Sequence, residues 1–528
     1  MEKSIATRAA ACATVAAVLA ASPCPAADRR PNVIFILADD LGYGDVGWAE
    51  RPRPGTAGTR ISTPNLERLA REGAILTSHY CAAPVCAPSR ASLLTGRMQG
   101  RCSLSDNCFE MPFAEKETLG SVMRKAGYAT WAVGKWGIAG GGESGRPVSS
   151  HPLDRGFDYF YGFLDHLAGH TYYHYDGKIR RAFMGITENR TNATASAAGI
   201  YSTDLFAAKA KQLVSEHAAK SPETPFFLFL AVNAVHGSGQ SDATLADKTP
   251  LHVPGRPYPA RGVSWPLAPE PRKARNTWIH PDYRKLPPKA ARYATAIRRL
   301  DDAVGDIASE LKRLGLDRDT MIIFTSDNGP ADEYGADPRF FDSNGPFDGF
   351  KRDVFEGGMR VPAFVRWPGG VSPGQTDDSP SQFHDWMATL ADVAGLPPAK
   401  ALSPECDGVS LLPRWKSPGR RRATGAAEST IYSQYEFSGG GGTQAFKEFA
   451  ARKKPVRGFQ QMARSGDYTA VRTCMRGAGG EVRPGNARTR LYNVKDDPFQ
   501  GRDLAHEPEH AAKLAELEAF LDKMLKKR

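Results

Sequence analysis

Beyond its first thirty residues the chain has no apolar run approaching the roughly 20 residues that a membrane-spanning helix needs, so stable insertion in a bilayer is not expected. It also lacks any zinc-finger, basic-zipper or ribonucleoprotein motif, which leaves no sequence ground for nucleic acid as a partner. Cysteine is scarce, with 8 among 528 residues. Cys102 and Cys108 are near enough in sequence to pair in an oxidising compartment. Charge is not strongly one-sided either. Lys plus Arg number 69 against 58 for Asp plus Glu, a formal excess of +11 that would gather polyanionic substrates near the surface.

What is present begins with an export signal. Lys3 and Arg8 precede an alanine-rich apolar run from Ala9 to Ala21 and the small residues leading to Ala27, the layout of a cleaved secretory peptide over residues 1–27. Pro23 directly before Cys24 argues against a lipoprotein signal, and the mature chain is expected in the periplasm or secreted. The remaining length provides for a large core and more than one domain. Residues 28–422 are expected to form a catalytic domain ending at the basic linker Lys416 to Arg422, and residues 423–528 a smaller one. In the latter, Ile431 to Phe437, Gly458 to Ala463 and Tyr468 to Arg472 read as short strands and Glu507 to Lys526 as a terminal helix.

Continuous apolar runs mark buried strands. Asn32 to Ala38 ends in Asp39-Asp40, Met321 to Ser326 ends in Asp327-Asn328-Gly329, Ala129 to Gly134 runs into Lys135, and Phe226 to Asn233 leads to His236. Alternating with helical stretches such as Ser62 to Arg71, Leu119 to Lys125 and Arg292 to Leu314, these runs predict an α/β fold with a large, mainly parallel sheet covered by helices on both faces. Ligands of such sheets bind at the carboxyl ends of the strands, so the four polar endings are expected on one rim. Three carboxylates and an amide oxygen there make a hard-oxygen set suited to Ca²⁺ or Mg²⁺.

The most informative segment is Cys86-Ala-Pro-Ser-Arg-Ala-Ser-Leu-Leu-Thr-Gly-Arg97. Pro88 fits a first helical turn, Ser89 is placed to satisfy free N–H groups there, and Arg90 returns one turn later to the face of Cys86. The run resembles the signature of the sulfatases, C-x-P-S-R-x-x-x-L-T-G-R, over its whole length. That resemblance implies an alkaline-phosphatase-like fold and hydrolysis of sulfate monoesters, with Cys86 oxidised by a formylglycine-generating maturation enzyme. Formylglycine hydrates to a gem-diol, one hydroxyl attacking sulfur and the other later losing its proton to release sulfate. With Cys86 so assigned, an odd number of exported cysteines is left, and at least one stays unpaired.

The same resemblance assigns Asp39, Asp40, Asp327, Asn328 and residue 86 to a calcium-type ion that polarises a sulfate oxygen. It places Lys135 of Gly134-Lys-Trp-Gly137 and Lys351 of Phe350-Lys-Arg-Asp-Val-Phe-Glu-Gly-Gly358 on sulfate oxygens, and makes His236 general acid or sulfate ligand. Many sulfatases carry Gly-Lys-Trp-His where this chain has Gly137, so another base must serve the formylglycine hydrate. His151, His166, His170 and His174 are the candidates, and the sequence leaves the choice open. The Gly-Lys-Trp-Gly variant is similar to bacterial polysaccharide sulfatases, which implies sulfated carbohydrate as substrate. A phosphonate monoester or phosphodiester hydrolase of the same superfamily, and a non-catalytic sulfated-glycan-binding protein, are the competing readings.

The segment from Asp165 to Tyr175 and residues 237–290, which lack clean periodicity, are expected to border the pocket and select the sugar. Leu491 to Pro498 resembles a C-terminal sulfatase signature.

Overall fold

The computed structural model describes residues 30–48, 61–107, 111, 113–141, 148–166, 168–170, 172, 185–197, 200–237, 279–332, 338–416, 428–442, 456–473, 475, 482 and 488–525. The signal segment, His174, Cys108, the linker near 420 and most of residues 237–290 lie outside them.

The strands in chain order are β1 (Asn32–Ala38), β2 (Ala74–Leu76), β3 (His79–Tyr80), β4 (Ala129–Lys135), β5 (Tyr159–Phe163), β6 (Thr187–Glu188), β7 (Thr191–Asn192), β8 (Phe226–Ala231), β9 (Thr320–Ser326), β10 (Ala363–Arg366), β11 (Gln375–Asp377), β12 (Ser381–Gln382), β13 (Ile431–Gly442), β14 (Val456–Ser465), β15 (Tyr468–Arg472) and β16 (Thr489–Asn493). Ten of them form one sheet in the order β11-β2-β10-β9-β1-β8-β4-β5-β6-β7. Its centre, β9-β1-β8-β4-β5, is parallel throughout. Antiparallel pairs enter toward the edges, where β10 meets β9 and β2, and β5 meets β6.

Successive side chains of a strand point to opposite faces, and β1 divides the core accordingly. Val33, Phe35 and Leu37 join the helices Cys86–Thr95, Leu119–Lys125 and Asp385–Val393 on one face. Ile34, Ile36 and Ala38 join Pro64–Arg71, Ser202–Lys220 and Pro288–Arg313 on the other. Burial on both faces is why these strands read as unbroken apolar runs. Register does the rest. Ala38 pairs with Ser326, Leu37 with Ala231 and Gly134 with Ala231, so the four parallel strands end level and their polar sequels share one rim.

The C-terminal part is the antiparallel sheet β13-β14-β15-β16 with the helix Ala511–Leu525 packed on it through Leu517, Leu521 and Met524. A buried ionic network ties it to the helical turn Glu356–Met359 and to β3, which pairs with β12 in a separate two-stranded sheet. Glu356 accepts from Arg360 and from the Tyr80 hydroxyl at 2.6 Å, Thr469 of β15 donates to Glu356 at 3.0 Å, and Arg464 of β14 bonds the Tyr80 oxygen.

Candidate active site

Asp39 and Asp40 leave the end of β1. Asp40 has φ 63°, a left-handed conformation rare outside glycine, and such strain concentrates where geometry serves function. Its backbone N–H donates to Asp327 Oδ1 at 3.2 Å, joining the ends of β1 and β9. Asn328 donates through Nδ2 to Asp40 Oδ1 at 2.7 Å. The polar oxygens Asp39 Oδ1 and Asn328 Oδ1 are buried and accept no hydrogen bond.

Cys86 opens a fully buried ten-residue helix, Cys86–Thr95. Ser89 does not cap it, contrary to the sequence expectation. Its hydroxyl accepts from Ala82 N–H at 3.2 Å, and the free N–H of Ala87 is met by Asn107 Oδ1 at 3.3 Å. Val85, the residue before the helix, is extended and has no capping side chain, so the turn into the helix is held by its surroundings. Arg90 does return to the site. Its Nε and Nη2 bond Asp327 Oδ2 at 3.0 and 2.8 Å, Nη1 bonds Lys135 O at 2.7 Å, and Nη2 lies 3.3 Å from Asp39 Oδ2.

Two lysines close the ring. Lys135 Nζ bonds Asp39 Oδ2 at 2.6 Å, and Lys351 Nζ lies 2.8 Å from Asp40 Oδ2 and 3.1 Å from His236 Nε2. Lys351 is set by its backbone N–H on Pro330 O at 2.9 Å, and the next N–H, of Arg352, bonds Pro84 O at 2.8 Å. One loop thus spans the end of β9 and the approach to Cys86. His236 donates from Nδ1 to Gly237 O, which turns Nε2 toward Lys351 and Asp40.

Donor atoms of Asp39, Asp40, Cys86 and His236 all lie within 4.8 Å of one another, a grouping able to hold a cation. Asp327 and Asn328 adjoin it through their bonds to Asp40, with Asp327 Oδ2 committed to Arg90. Oxygen donors dominate, two of them without hydrogen-bond partners, and this fits a hard divalent ion. Three carboxylates are balanced by Arg90, Lys135 and Lys351, so a bound divalent cation would leave a positive site for an anion.

Burial and neighbours set the titrations. Burial pushes Asp327 up to about 7, helped by Asp39 beside it, while Lys135, His236 and Arg90 hold Asp39 below the usual carboxylate range against its own burial. A divalent cation would favour both as anions. Burial pushes the Cys86 thiol up to about 12, which leaves unmodified Cys86 almost without thiolate at neutral pH. Burial, then Lys351, lowers His236 to about 4. At neutral pH its imidazole therefore accepts from the Lys351 ammonium until an anion enters and favours the protonated form.

Gly137 has φ +74°, so any side chain there is strained. A Cβ on it would lie 3.5 Å from Lys135 Cε and 3.8 Å from Arg90 Cδ. The turn after β5 covers that same lysine, since a Cβ on Gly169 would lie 2.6 Å from Lys135 Cδ. This turn brings in two of the predicted histidines. His166 and His170 have ring centroids 4.8 Å apart, and His170 and His236 are 3.9 Å apart and nearly parallel. His151 is elsewhere: its Nε2 bonds Asn189 O at 2.7 Å and its Nδ1 accepts from Leu153 N–H at 3.2 Å, which makes it a loop fastener.

Residues not singled out from the sequence also converge here. Tyr172 bonds the carbonyls of Asn233 and His236, and the only sequence sign of it was the His/Tyr alternation from Asp165 to Tyr175. Tyr435 of β13 feels Arg352, Asp106, Lys351 and Cys86 electrostatically, a proximity no local pattern announces. Cys102 is a buried thiol 3.5 Å from Thr95 Oγ1.

The family description "Sulfatase" matches residues 31–396. The chain is 31% identical over 413 residues to N-acetylgalactosamine-6-sulfatase of Mus musculus, covering 73% of this chain and 66% of that one. To Steryl-sulfatase of the same organism it is 32% identical over 453 residues, 76% and 68% of the two chains. The match thus spans just under two thirds of the first relative's length. The crystal structure of Ps i-CgsB in complex with k-i-k-neocarrahexaose shares the fold, with a TM-score of 0.66, 24% identity and coverage of 94% and 92%. The chain belongs to the sulfatase family.

Proposed function

We propose that this protein is a formylglycine-dependent hydrolase of sulfate monoesters, acting on sulfated carbohydrate. The observation that carries the reading is the position of Cys86: the first residue of a buried helix, within 4.8 Å of donor atoms of Asp39, Asp40 and His236 and flanked by three cations. A thiol pushed up to about 12 is a poor nucleophile, which favours a converted residue 86 as the attacking group. Asp39, Asp40, Asp327 and Asn328 would hold Ca²⁺, with Mg²⁺ the alternative, and the ion would draw charge from a sulfate oxygen. Lys135 and Arg90 would face the remaining sulfate oxygens. His236 with Lys351, 3.1 Å apart, would deliver a proton to the departing alcohol. His166, on the turn that covers Lys135 and in ring contact with His170, is our choice for the base that position 137 does not provide.

Carbohydrate is supported by the N-acetylgalactosamine-6-sulfatase relatives, while the similarity to Steryl-sulfatase keeps sterol esters in the test panel. We place the catalytic unit at residues 28–422 and the C-terminal unit at 423–528, in keeping with a family match over 31–396 and a four-stranded sheet beginning at Ile431. Export follows from the N-terminal segment, and among the described residues no helix is long and apolar enough to cross a membrane. N-terminal sequencing of the mature protein checks the cleavage near Ala27.

Protein coexpressed with a maturation enzyme should hydrolyse sulfated monosaccharides far faster than phosphodiesters or phosphonates. Its residue-86 peptide should show the mass loss of thiol-to-aldehyde conversion. Cys86→Ala should be inactive, and full activity in that variant would sink the proposal. Chelation should abolish turnover and Ca²⁺ should restore it; a chelator-resistant enzyme contradicts the metal assignment.

A further inference from the structure

The turn after β5 grips the His236 segment at two points. The His170 ring lies against the His236 ring, centroids 3.9 Å apart and planes 13° from parallel. Two residues on, the Tyr172 hydroxyl lies 2.9 Å from the carbonyl oxygens of both Asn233 and His236. Tyr172 is fully buried and stacked on Tyr201, with centroids 5.1 Å apart and planes 8° apart. Asn233 is held in turn by Ser202, whose hydroxyl donates to Asn233 Oδ1 at 2.8 Å. On the opposite side, Asp39 N–H donates to Ala234 O at 2.8 Å and Val235 N–H to Asp39 O at 2.6 Å.

The segment 233–236 is therefore bracketed by the metal-side carboxylate strand and by the Tyr172 turn, and the His236 imidazole is pressed between the His170 face and the Lys351–Asp40 edge. The torsion that orients an imidazole ring is broad and roughly two-fold, so a lone histidine samples a range of tilts. A second ring in face contact removes that range. We infer that His170 and Tyr172 are positioning residues for His236, the ring fixing its tilt and the hydroxyl fixing its backbone, so that Nε2 stays aimed at the oxygen leaving sulfur. The inference rests on the reading of His236 as the group that serves the leaving alcohol.

The test is a series of substituted phenyl sulfates, from nitrophenyl to methoxyphenyl, hydrolysed by matured enzyme. A nitrophenolate departs without a proton, whereas a methoxyphenolate needs one. His170→Ala and Tyr172→Phe should lower kcat for methoxyphenyl sulfate by roughly tenfold or more and leave nitrophenyl sulfate within about twofold of wild type. His170→Phe, which keeps a flat ring against His236, should restore most of the loss. His236→Ala should reproduce the steep leaving-group dependence, and adding His170→Ala to it should cost nothing further, since both act through one group. Parallel losses on all esters, additive losses in the double variant, or a His170→Phe enzyme as poor as His170→Ala would each overturn the inference. Failure of matured wild type on every aryl and sugar sulfate would instead defeat the sulfatase reading itself.

Discussion

At the scale of single residues, burial decides what the titratable groups can do. His151 and His166 are both histidines near the same strand, yet they differ in every contact. His151 is fastened to Asn189 O and Leu153 N–H, and none of the groups that shift its titration belongs to the site. His166 is buried, and that burial, then Lys135 and other groups of the site, holds its imidazole well below the ordinary histidine range, so it stands neutral and open to a proton. Replacing His166 with Ala should lower turnover by roughly a hundredfold, as loss of a general base does, with sulfate release the step that slows. His151→Ala should cost thermal stability and spare kcat. Rapid-quench kinetics beside a melting curve separates the two, and equal turnover losses in both variants would remove His166 from this role.

Gly137 poses the complementary case. Space near it would admit a Cβ at ordinary contact distance, but its φ of +74° penalises any side chain. Gly137→His should therefore destabilise by about 1 kcal/mol, visible in a urea titration, without replacing His166 when the two changes are combined. Rescue of His166→Ala by Gly137→His would show that the backbone relaxes more easily than its conformation implies.

At the scale of elements, continuous apolar strands were the most legible feature. Asn32–Ala38 forms as expected, because a strand buried on both faces carries its signal in every residue. β2, β10 and β11 leave no comparable run in the sequence. They span three, four and three residues and are stabilised by partners far along the chain, β10 by β9 and β11 by β2. The turn into the Cys86 helix is held by a different partner from the one its sequence suggests. Ser89 fits a capping role by type, but Asn107, twenty residues on, reaches the Ala87 N–H instead. Local propensity names a residue able to cap; tertiary placement selects the one that does.

At the scale of the whole molecule, stability should respond to pH through buried groups outside the site. Burial pushes Asp45 up from 3.8 to about 7, although Tyr293 and Gly42 N–H donate to its Oδ2 at 2.7 and 2.9 Å. The folded protein keeps this proton where the unfolded chain has released it. The contribution is thus full below pH 3.8 and is lost as pH rises to about 7. Asp45→Asn, which mimics the protonated carboxyl, should gain stability relative to wild type steadily across that window, measured by urea midpoints. A difference that stays flat would mean Asp45 is ionised in the fold. His79 acts in the opposite direction. Burial lowers it from 6.5 to about 3, and its Nε2 accepts from Trp386 at 3.1 Å, so stability is lost as pH falls between those values.

Much of the site could be written down from residues in order. The Cys86 signature, the acidic endings of β1 and β9, Lys135, His236 and Lys351 are each local patterns, and four of these endings follow strands whose hydrophobicity alone predicts a common rim. Three things needed the folded chain. The level ends of β9, β1, β8 and β4 come from register, a property of pairs of strands. The choice of His166 and His170 over His151 comes from the turn that lays Gly169 on Lys135, since four histidines within reach by sequence are indistinguishable until their side chains have neighbours. The approach of Tyr435 and the Tyr80–Glu356–Arg464 network join segments hundreds of residues apart, and contacts at that separation leave no periodicity for a sequence to display.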